Sequence, residues 1–280
     1  MIIIFKYLNN EKIYHKTNRG VIIQDDCQNV LSKIPDKSVN LVYSDLPFGK
    51  TQNSWDKLIP SNWMWNEFDR ILAPNGIVVL HSMEEFTAFL MMSNLKWYKF
   101  RWYWDKDKGS GFLNAKKMLL KQTEDICLFY KNSPTYNPQM VEAQADRVRP
   151  ISFSSTESLN YGKVGEIKAD KNYNPELRYP TNLIKYSSIK GDCNSANRIH
   201  PTQKPIDLLK WLILTYSNKN DIILDNCIGS GQTALACLDT NRDYIGFDNG
   251  KCENKKKKEY YNRYWTDISQ ERINTYLENK

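Results

Sequence analysis

Asp221-Ile222-Ile223-Leu224-Asp225-Asn226-Cys227-Ile228-Gly229-Ser230-Gly231-Gln232-Thr233-Ala234 is the stretch that decides the fold. A short β-branched run stops at an acid, a glycine-rich turn follows, and residues 233–240 read as a helix. Residues 242–248 form the next strand, which ends in Asp248, nineteen residues beyond Gly229. Gly229-Ser230-Gly231-Gln232-Thr233-Ala234 therefore satisfies G-x-G-x-x-[GA] between a strand and a helix, with an acid closing the following strand. Glycines let the backbone approach a ligand, and the first N–H groups of a helix are free to meet an anion. An acid at the end of the next strand can accept hydrogen bonds from a ribose. A tight strand–helix turn without a ligand would share the spacing, so the reading rests on strand, helix and acid together.

The same alternation continues outward. Residues 20–26 make a strand stopping at Asp25-Asp26, and 27–34 read as a helix. Residues 39–44 make a buried strand that runs into Asp45-Leu46-Pro47-Phe48-Gly49. A helix over 63–72, closed by Ala73-Pro74-Asn75-Gly76, leads to a strand at 77–80. A further strand is expected at 125–130, and an amphipathic helix at 206–216 behind Pro205. The pattern predicts a doubly wound, mostly parallel α/β sheet. Residues 133–197 keep neither period and read as an inserted region, dividing the chain into 1–132, 133–197 and 198–280. Lys255 to Lys258 read as the start of a charged terminal helix with a solvated face.

With 280 residues, 41% hydrophobic and 25% charged, the chain is of ordinary globular composition and long enough to bury a core without metal or disulfides. No apolar run approaches the roughly 20 residues of a membrane span, and Met1-Ile2-Ile3-Ile4-Phe5 is too short for a signal peptide. A cytoplasmic protein is expected. Six irregularly spaced cysteines and three histidines assemble no metal-ligand pattern. The net charge of +7 is compatible with a polyanionic partner without requiring one.

Two carboxylates narrow the chemistry. Asp225, at the mouth of the glycine loop, would repel a pyrophosphate, costing on the order of a kcal/mol. S-adenosylmethionine carries no phosphate but a sulfonium and an ammonium, which a carboxylate favours, so charge selects it over NAD. Asp45 follows a buried strand at the sheet edge where open α/β folds bind ligands. The exocyclic amine of a nucleobase is a poor nucleophile because its lone pair is delocalised into the ring. Accepting both amine hydrogens, with Asp45 and a backbone carbonyl at Leu46 or Pro47, would favour a pyramidal nitrogen. Pro47 stiffens the turn, and Phe48 offers a face for an extruded base. Taken alone, an ordinary post-strand turn explains this segment equally well.

Together these segments resemble a family. Asp45-Leu46-Pro47-Phe48 is similar to the [DNS]-P-P-[YFW] motif of amino-group DNA methyltransferases, and Asp225-Asn226-Cys227-Ile228-Gly229-Ser230-Gly231 to their D-x-F-x-G-S-G loop. His200-Pro201-Thr202-Gln203-Lys204-Pro205 matches their H-P-T-x-K-P segment. The order of the three is that of the circularly permuted β group. Leu46 and Cys227 depart from the usual Pro and Phe. Asp at the first motif position, and Thr51-Gln52-Asn53-Ser54-Trp55-Asp56 after it, resemble the adenine-N6 members. The resemblance implies an S-adenosylmethionine-dependent fold and methylation of adenine N6 in double-stranded DNA after base flipping, in a bacterial or phage-infected cell. It implies that Asp45, Pro47 and Phe48 activate the amine, and that Asp225, Gly229, Ser230 and Gly231 line the methionyl end of the cofactor. Asp248 would take the ribose, while Asp26 would sit beside the cofactor adenine or simply cap its strand. His200 and Lys204 would close the pocket near the cofactor carboxylate. Homodimers are common among such proteins.

The inserted region occupies the place of a target-recognition region. Arg147, Arg149, Lys163, Lys168, Lys171, Arg178, Lys185 and Lys190 are interleaved there with Tyr136, Tyr161, Tyr173, Tyr179 and Tyr186, suited to phosphates, guanine edges and stacking. Lys99 to Lys106 read as half core strand and half DNA-facing edge, followed by a turn at Lys108-Gly109-Ser110-Gly111. Competing readings are a cytosine-N4 enzyme, an enzyme acting on structured RNA, a non-catalytic nucleic-acid-binding subunit and an NAD-dependent dehydrogenase.

Overall fold

The structure, a computed structural model, describes residues 13–50, 53, 54, 56–143, 157, 158, 162, 163, 174–253 and 255–280. Two compact units are present: residues 138–181 form the smaller one, and the rest of the chain the main one.

In chain order the main unit contains β1 (Ile13–Lys16), β2 (Gly20–Ile23), α1 (Cys27–Val30), β3 (Val39–Ser44), α2 (Ser61–Ile71), β4 (Leu72–Ser82), α3 (Glu85–Ser93), β5 (Tyr98–Ser110) and β6 (Lys121–Phe129). The smaller unit contributes β7 (Val141–Glu142), β8 (Glu157–Ser158), β9 (Gly162–Lys163) and β10 (Leu177–Arg178). Its described strands pair antiparallel, β7 with β10 and β8 with β9. The main unit resumes with β11 (Leu183–Lys185), α4 (Ile206–Tyr216), β12 (Ile222–Asp225), α5 (Gln232–Asp239), β13 (Asp243–Phe247) and α6 (Trp265–Glu278).

Among the described residues, one sheet has the order β1-β2-β13-β12-β3-β4-β6-β5-β11. β2, β13, β12, β3 and β4 run parallel, and β6 is antiparallel to both β4 and β5. β2, β12 and β13 are short apolar runs buried on both faces, which is why alternation is weak in the sequence. Successive side chains still point to opposite sides and sort into two cores. Val42, Val78, Leu224 and Phe247 pack with α1, α2 and α3, while Leu41, Tyr43, Val79, Ile223 and Tyr244 pack with α4, α5 and α6. α2 buries Met64, Trp65, Phe68 and Ile71, the spacing of one helical face.

Several boundaries differ from the sequence reading. The helix expected over 27–34 is α1 followed by a single 3-10 turn, Leu31–Lys33, before Pro35. Ala73-Pro74-Asn75-Gly76 lies within β4 as an irregularity, because the pairing slips between Val39↔Leu72 and Leu41↔Ile77. Residues 108–110 are not a turn but the end of β5, and the turn begins at Gly111. Lys255 to Lys258 lie in turns, and the terminal helix begins only at Trp265, where Trp265, Ile268 and Ile273 are buried. The smaller unit is also narrower than the 133–197 read from composition. β11 pairs in parallel with β5, so residues 182–197 belong to the main unit.

Phe68 is fully buried and meets Trp65 edge-on beneath the central strands. Phe68→Ala should lower the unfolding free energy by about 3–5 kcal/mol in a denaturant titration, the cost of an aromatic-sized cavity. A change within ~0.5 kcal/mol would contradict this packing.

Candidate active site

The chain leaves β12 through α5 towards β13, and leaves β3 through α2 towards β4 on the other side and the other face. Where the directions part, a crevice opens at the carboxyl ends of the strands. Asp225 ends β12 and Asp45 follows β3, and the Ser44 hydroxyl donates to Asp225 Oδ1 at 3.4 Å. Both carboxylates line one cavity of about 1080 Å³, together with Asp26, Pro47, Phe48, His200, Lys204, Gly229, Ser230 and Asp248.

Hydrogen bonds within the chain shape the glycine loop. Thr233 Oγ1 donates to Asp225 Oδ2 at 2.5 Å, and the Cys227 N–H to Oδ1 at 3.0 Å. Asp248 receives the Gly229 N–H at 2.8 Å on one oxygen and the Gly250 N–H at 2.7 Å on the other. The acid after β13 is thus a clamp that sets the loop's height above the sheet. Gly229 lies at φ 51° with the neutral ring of His200 over it. Burial drives the His200 pKa down to about 3, and the ring meets Trp265 at 4.4 Å. Asn226 is buried in the same loop, and its Oδ1 has no hydrogen-bond donor.

Gly231 is the one predicted cofactor residue that does not line the cavity. Its φ is 82°, and a Cβ there would stand 3.0 Å from Ser269 Cβ and 3.3 Å from its Cα, so the glycine is required by the approach of α6. Asp26 caps α1 by accepting the Gln28 N–H at 2.9 Å, and also takes the Asn249 amide at 3.0 Å.

At the other end of the cavity, Lys204 Nζ stands 2.7 Å from Asp45 Oδ2 and 3.5 Å from Glu124 Oε2. Glu124 Oε1 in turn faces Lys106 Nζ at 3.3 Å. Burial lowers the Lys204 pKa, but Asp45 and Glu124 outweigh it and keep the ammonium charged. Burial likewise raises Glu124, but Lys204 and Lys106 hold it below its ordinary value. Burial, with the nearby Glu124 and Asp56 charges, raises Asp45 in spite of Lys204. Behind them Tyr43 OH meets His81 Nε2 at 2.7 Å, and the buried His81 is driven down to about 3, first by desolvation and then by Lys204. Phe48 stacks on Phe86 at 4.6 Å. Asp56 accepts the N–H groups of Gly49 and Lys50, at 2.8 and 2.9 Å, and fixes the loop behind Phe48.

Sequence reasoning missed Glu124, Lys106, Asn226 and the clamp at Asp56. Glu124 reaches the site only because β6 pairs it with Trp104 of β5, a register with no local signal. Of the basic and aromatic residues expected to read DNA, Arg147, Arg149, Tyr161, Lys168, Lys171 and Tyr173 lie outside the described residues. Lys185 and Lys190 pair with Asp107 in the main unit, at 3.4 and 3.1 Å. Tyr136 leans on Tyr216, and the Tyr186 carbonyl receives Trp104 Nε1, so these two also belong to the main unit. Among the described residues no group of three or more His, Cys, Asp or Glu side chains could hold a metal ion.

A family described as DNA methylase (N6_N4_Mtase) matches residues 39–271, a span holding β3, the crevice and the first half of α6. The chain belongs to the DNA methylase family. The chemistry of this family is methyl transfer from S-adenosylmethionine. The chain is 28% identical over 245 residues to the DNA adenine methyltransferase YhdJ of Escherichia coli (strain K12), covering 81% of this chain and 77% of that one. It is equally similar, 28% over 247 residues, to the type II methyltransferase M1.MboII of Moraxella bovis, with 81% and 90% covered. Among solved structures it resembles the M1.HpyAVI–SAM complex, with a TM-score of 0.57, 20% identity, and 90% and 98% of the two chains covered. It also resembles the cytosine-N4-specific PvuII DNA methyltransferase, with a TM-score of 0.59, 18% identity, and 92% and 96% covered. The likeness to both structures confirms the α/β methyltransferase fold.

The buried acids of this DNA methylase give stability a pH signature. Burial raises Asp225 from its ordinary 3.8 to about 7 and Asp248 to about 6, against the lowering effect of their N–H and hydroxyl donors. The folded state therefore holds protons that the unfolded chain releases. The stability they contribute is complete below about pH 4 and is lost as pH rises through 6 to 7. His81 and His200, depressed to about 3, act in the opposite sense, so the isolated effect needs a variant. The stability of Asp225→Asn relative to the native chain should rise between about pH 4 and 7 and level off near pH 8. A pH-independent difference would contradict the burial of Asp225.

Proposed function

We propose that this DNA methylase transfers a methyl group from S-adenosylmethionine to the N6 amine of adenine in double-stranded DNA. The observation that carries the reading is the placement of Asp45 and Asp225 on adjacent strand ends, opening into one cavity.

The glycine-loop end suits a cationic ligand. Asp225 and the unpartnered Asn226 Oδ1 are buried acceptors, Asp248 is a half-buried one, and the His200 above them is neutral. A pyrophosphate would meet the Asp225 carboxylate, which argues against a dinucleotide. Asp225 and Asn226 are the residues suited to hold the ammonium of S-adenosylmethionine, with Asp248 towards its ribose. When bound there, the sulfonium supplies an electrophilic methyl group.

At the other end Asp45 is the acceptor for the amine. One Asp45 oxygen and a carbonyl of Leu46 or Pro47 take the two N–H hydrogens, and the freed lone pair attacks the methyl carbon in line. With S-adenosylmethionine bound, the N–CH3 bond would form as the C–S bond breaks and S-adenosylhomocysteine leaves as a neutral thioether, and the cationic nitrogen would then have to lose a proton. Asp45, raised by burial, is the base beside it. Lys204 occupies Asp45 Oδ2 until the amine arrives, and Glu124 Oε2, buried without a hydrogen-bond partner, is the acceptor towards which it can turn. Positioning and exclusion of water supply much of the acceleration. Adenine is favoured over cytosine by the aspartate at position 45 and by the adenine specificity in the name of YhdJ.

Asp45→Asn should reduce methyl transfer at least about 100-fold, with S-adenosylmethionine and DNA still bound in equilibrium titrations. Retained activity would remove Asp45 from the reaction, whereas lost binding would make its role structural.

A further inference from the structure

β5 and β6 are joined by a tip that the reaction described above does not use. Ser110 faces Lys121 across the hairpin, while further along β6 Asp125 lies opposite Ser82 at the carboxyl end of β4. The hairpin therefore projects beyond the strand ends on the side where Asp45 and Asp225 open. Lys106, buried against Glu124, and Lys108, Ser110 and Lys121 line the cavity from this hairpin, and Lys121 is held there by Glu84 at 2.7 Å.

Beyond that rim the tip turns wholly outward. Every residue from 111 to 120 is exposed, with Phe112 at 81%, Leu113 at 98% and Leu119 at 90%. Gly111, at φ 89° with open space around it, starts the single turn Phe112–Asn114 that presents them. Lys108, Lys116 and Lys117 are exposed on the same hairpin. Large apolar side chains left in water are costly unless a partner covers them. Here the cover must be apolar at its centre and anionic at its edges, and it must reach the cavity mouth.

A DNA duplex opened at one base fits that description. We propose that Phe112 and Leu113 form a wedge that enters the base stack where the target base is withdrawn, with Lys108, Lys116 and Lys117 on the flanking phosphates. The apolar pair fills the vacated space and keeps the base from returning, as wedge side chains do at kinked steps. The lysines add salt-dependent affinity that is independent of sequence. The inference rests on the DNA-methyltransferase reading and deepens it by naming what opens the duplex.

The test uses the full chain and two duplexes built on the site the native protein methylates, mapped by sequencing of methylated DNA. In one the target base is paired, and in the other it stands opposite an abasic position and is already loose. For Phe112→Ser/Leu113→Ser, kcat/KM on the paired duplex should fall about ten-fold or more, and on the abasic duplex it should stay within about two-fold of native. Lys116→Ala/Lys117→Ala should weaken binding to both duplexes alike and reduce its salt dependence. Unchanged activity of the serine variant on paired DNA overturns the wedge. So does an equal loss on both duplexes, or a change in oligomeric state that makes the tip a contact between copies of the chain. A native protein that methylates neither duplex nor genomic DNA overturns the enzymatic reading itself, which separates the two failures.

Discussion

The burial of acids at a reversal in strand order is the constraint on which the rest of this molecule depends. Helices leave β12 and β3 in opposite directions on opposite faces, so the strand ends between them are not covered. Asp225 and Asp45 stand in that opening, and each is relieved differently. Asp225 is wrapped by a threonine hydroxyl, a serine hydroxyl and a backbone N–H. Asp45 is met by a single ammonium, Lys204, which it shares with Glu124. One acid is solvated by fixed dipoles and the other by a side-chain charge, and in the proposed reaction the first would serve the binding end of the cavity and the second the end that receives the amine.

That division explains several features which look unrelated along the chain. Asp248 spends an oxygen on Gly229 and so fixes the glycine loop over the sheet. Gly231 lets α6 approach closely enough for Ser269 to donate to the Gly229 carbonyl at 2.7 Å. Asp56 performs the corresponding task behind Phe48. Each carboxylate fixes a loop that must hold its shape while a ligand comes and goes, and loops of that kind are positioned by rigid elements beneath them.

Much of this was legible in the sequence, because the parallel strands are short apolar runs that end in acids. β3 and α4 occupy the expected residues, 39–44 and 206–216, since an apolar run stopping at Asp45 and a proline-started amphipathic segment leave little choice. The glycine loop was legible for the same reason. What was not legible depends on long-range register. Glu124 reaches the cavity through an antiparallel pairing, and Lys204, expected in the pocket beside the cofactor carboxylate, instead reaches Asp45, 159 positions away. Gly231 looked like a ligand contact because spacing cannot say whether a glycine makes room for a ligand or for a helix. The lysines at 255–258 looked helical because charge alone does not mark a helix start, and the helix waits for the buried face at Trp265.

The central claim is that the crevice between β12 and β3 brings a sulfonium methyl donor and a nucleobase amine together. It is tested most directly by incubating the purified chain with isotopically labelled S-adenosylmethionine and unmethylated DNA, digesting the DNA and separating the nucleosides by mass spectrometry. The account predicts label in N6-methyldeoxyadenosine. Label in N4-methyldeoxycytidine would contradict the assignment of the base. No labelled nucleoside, from protein shown to bind both S-adenosylmethionine and DNA, would contradict the claim that this crevice transfers a methyl group.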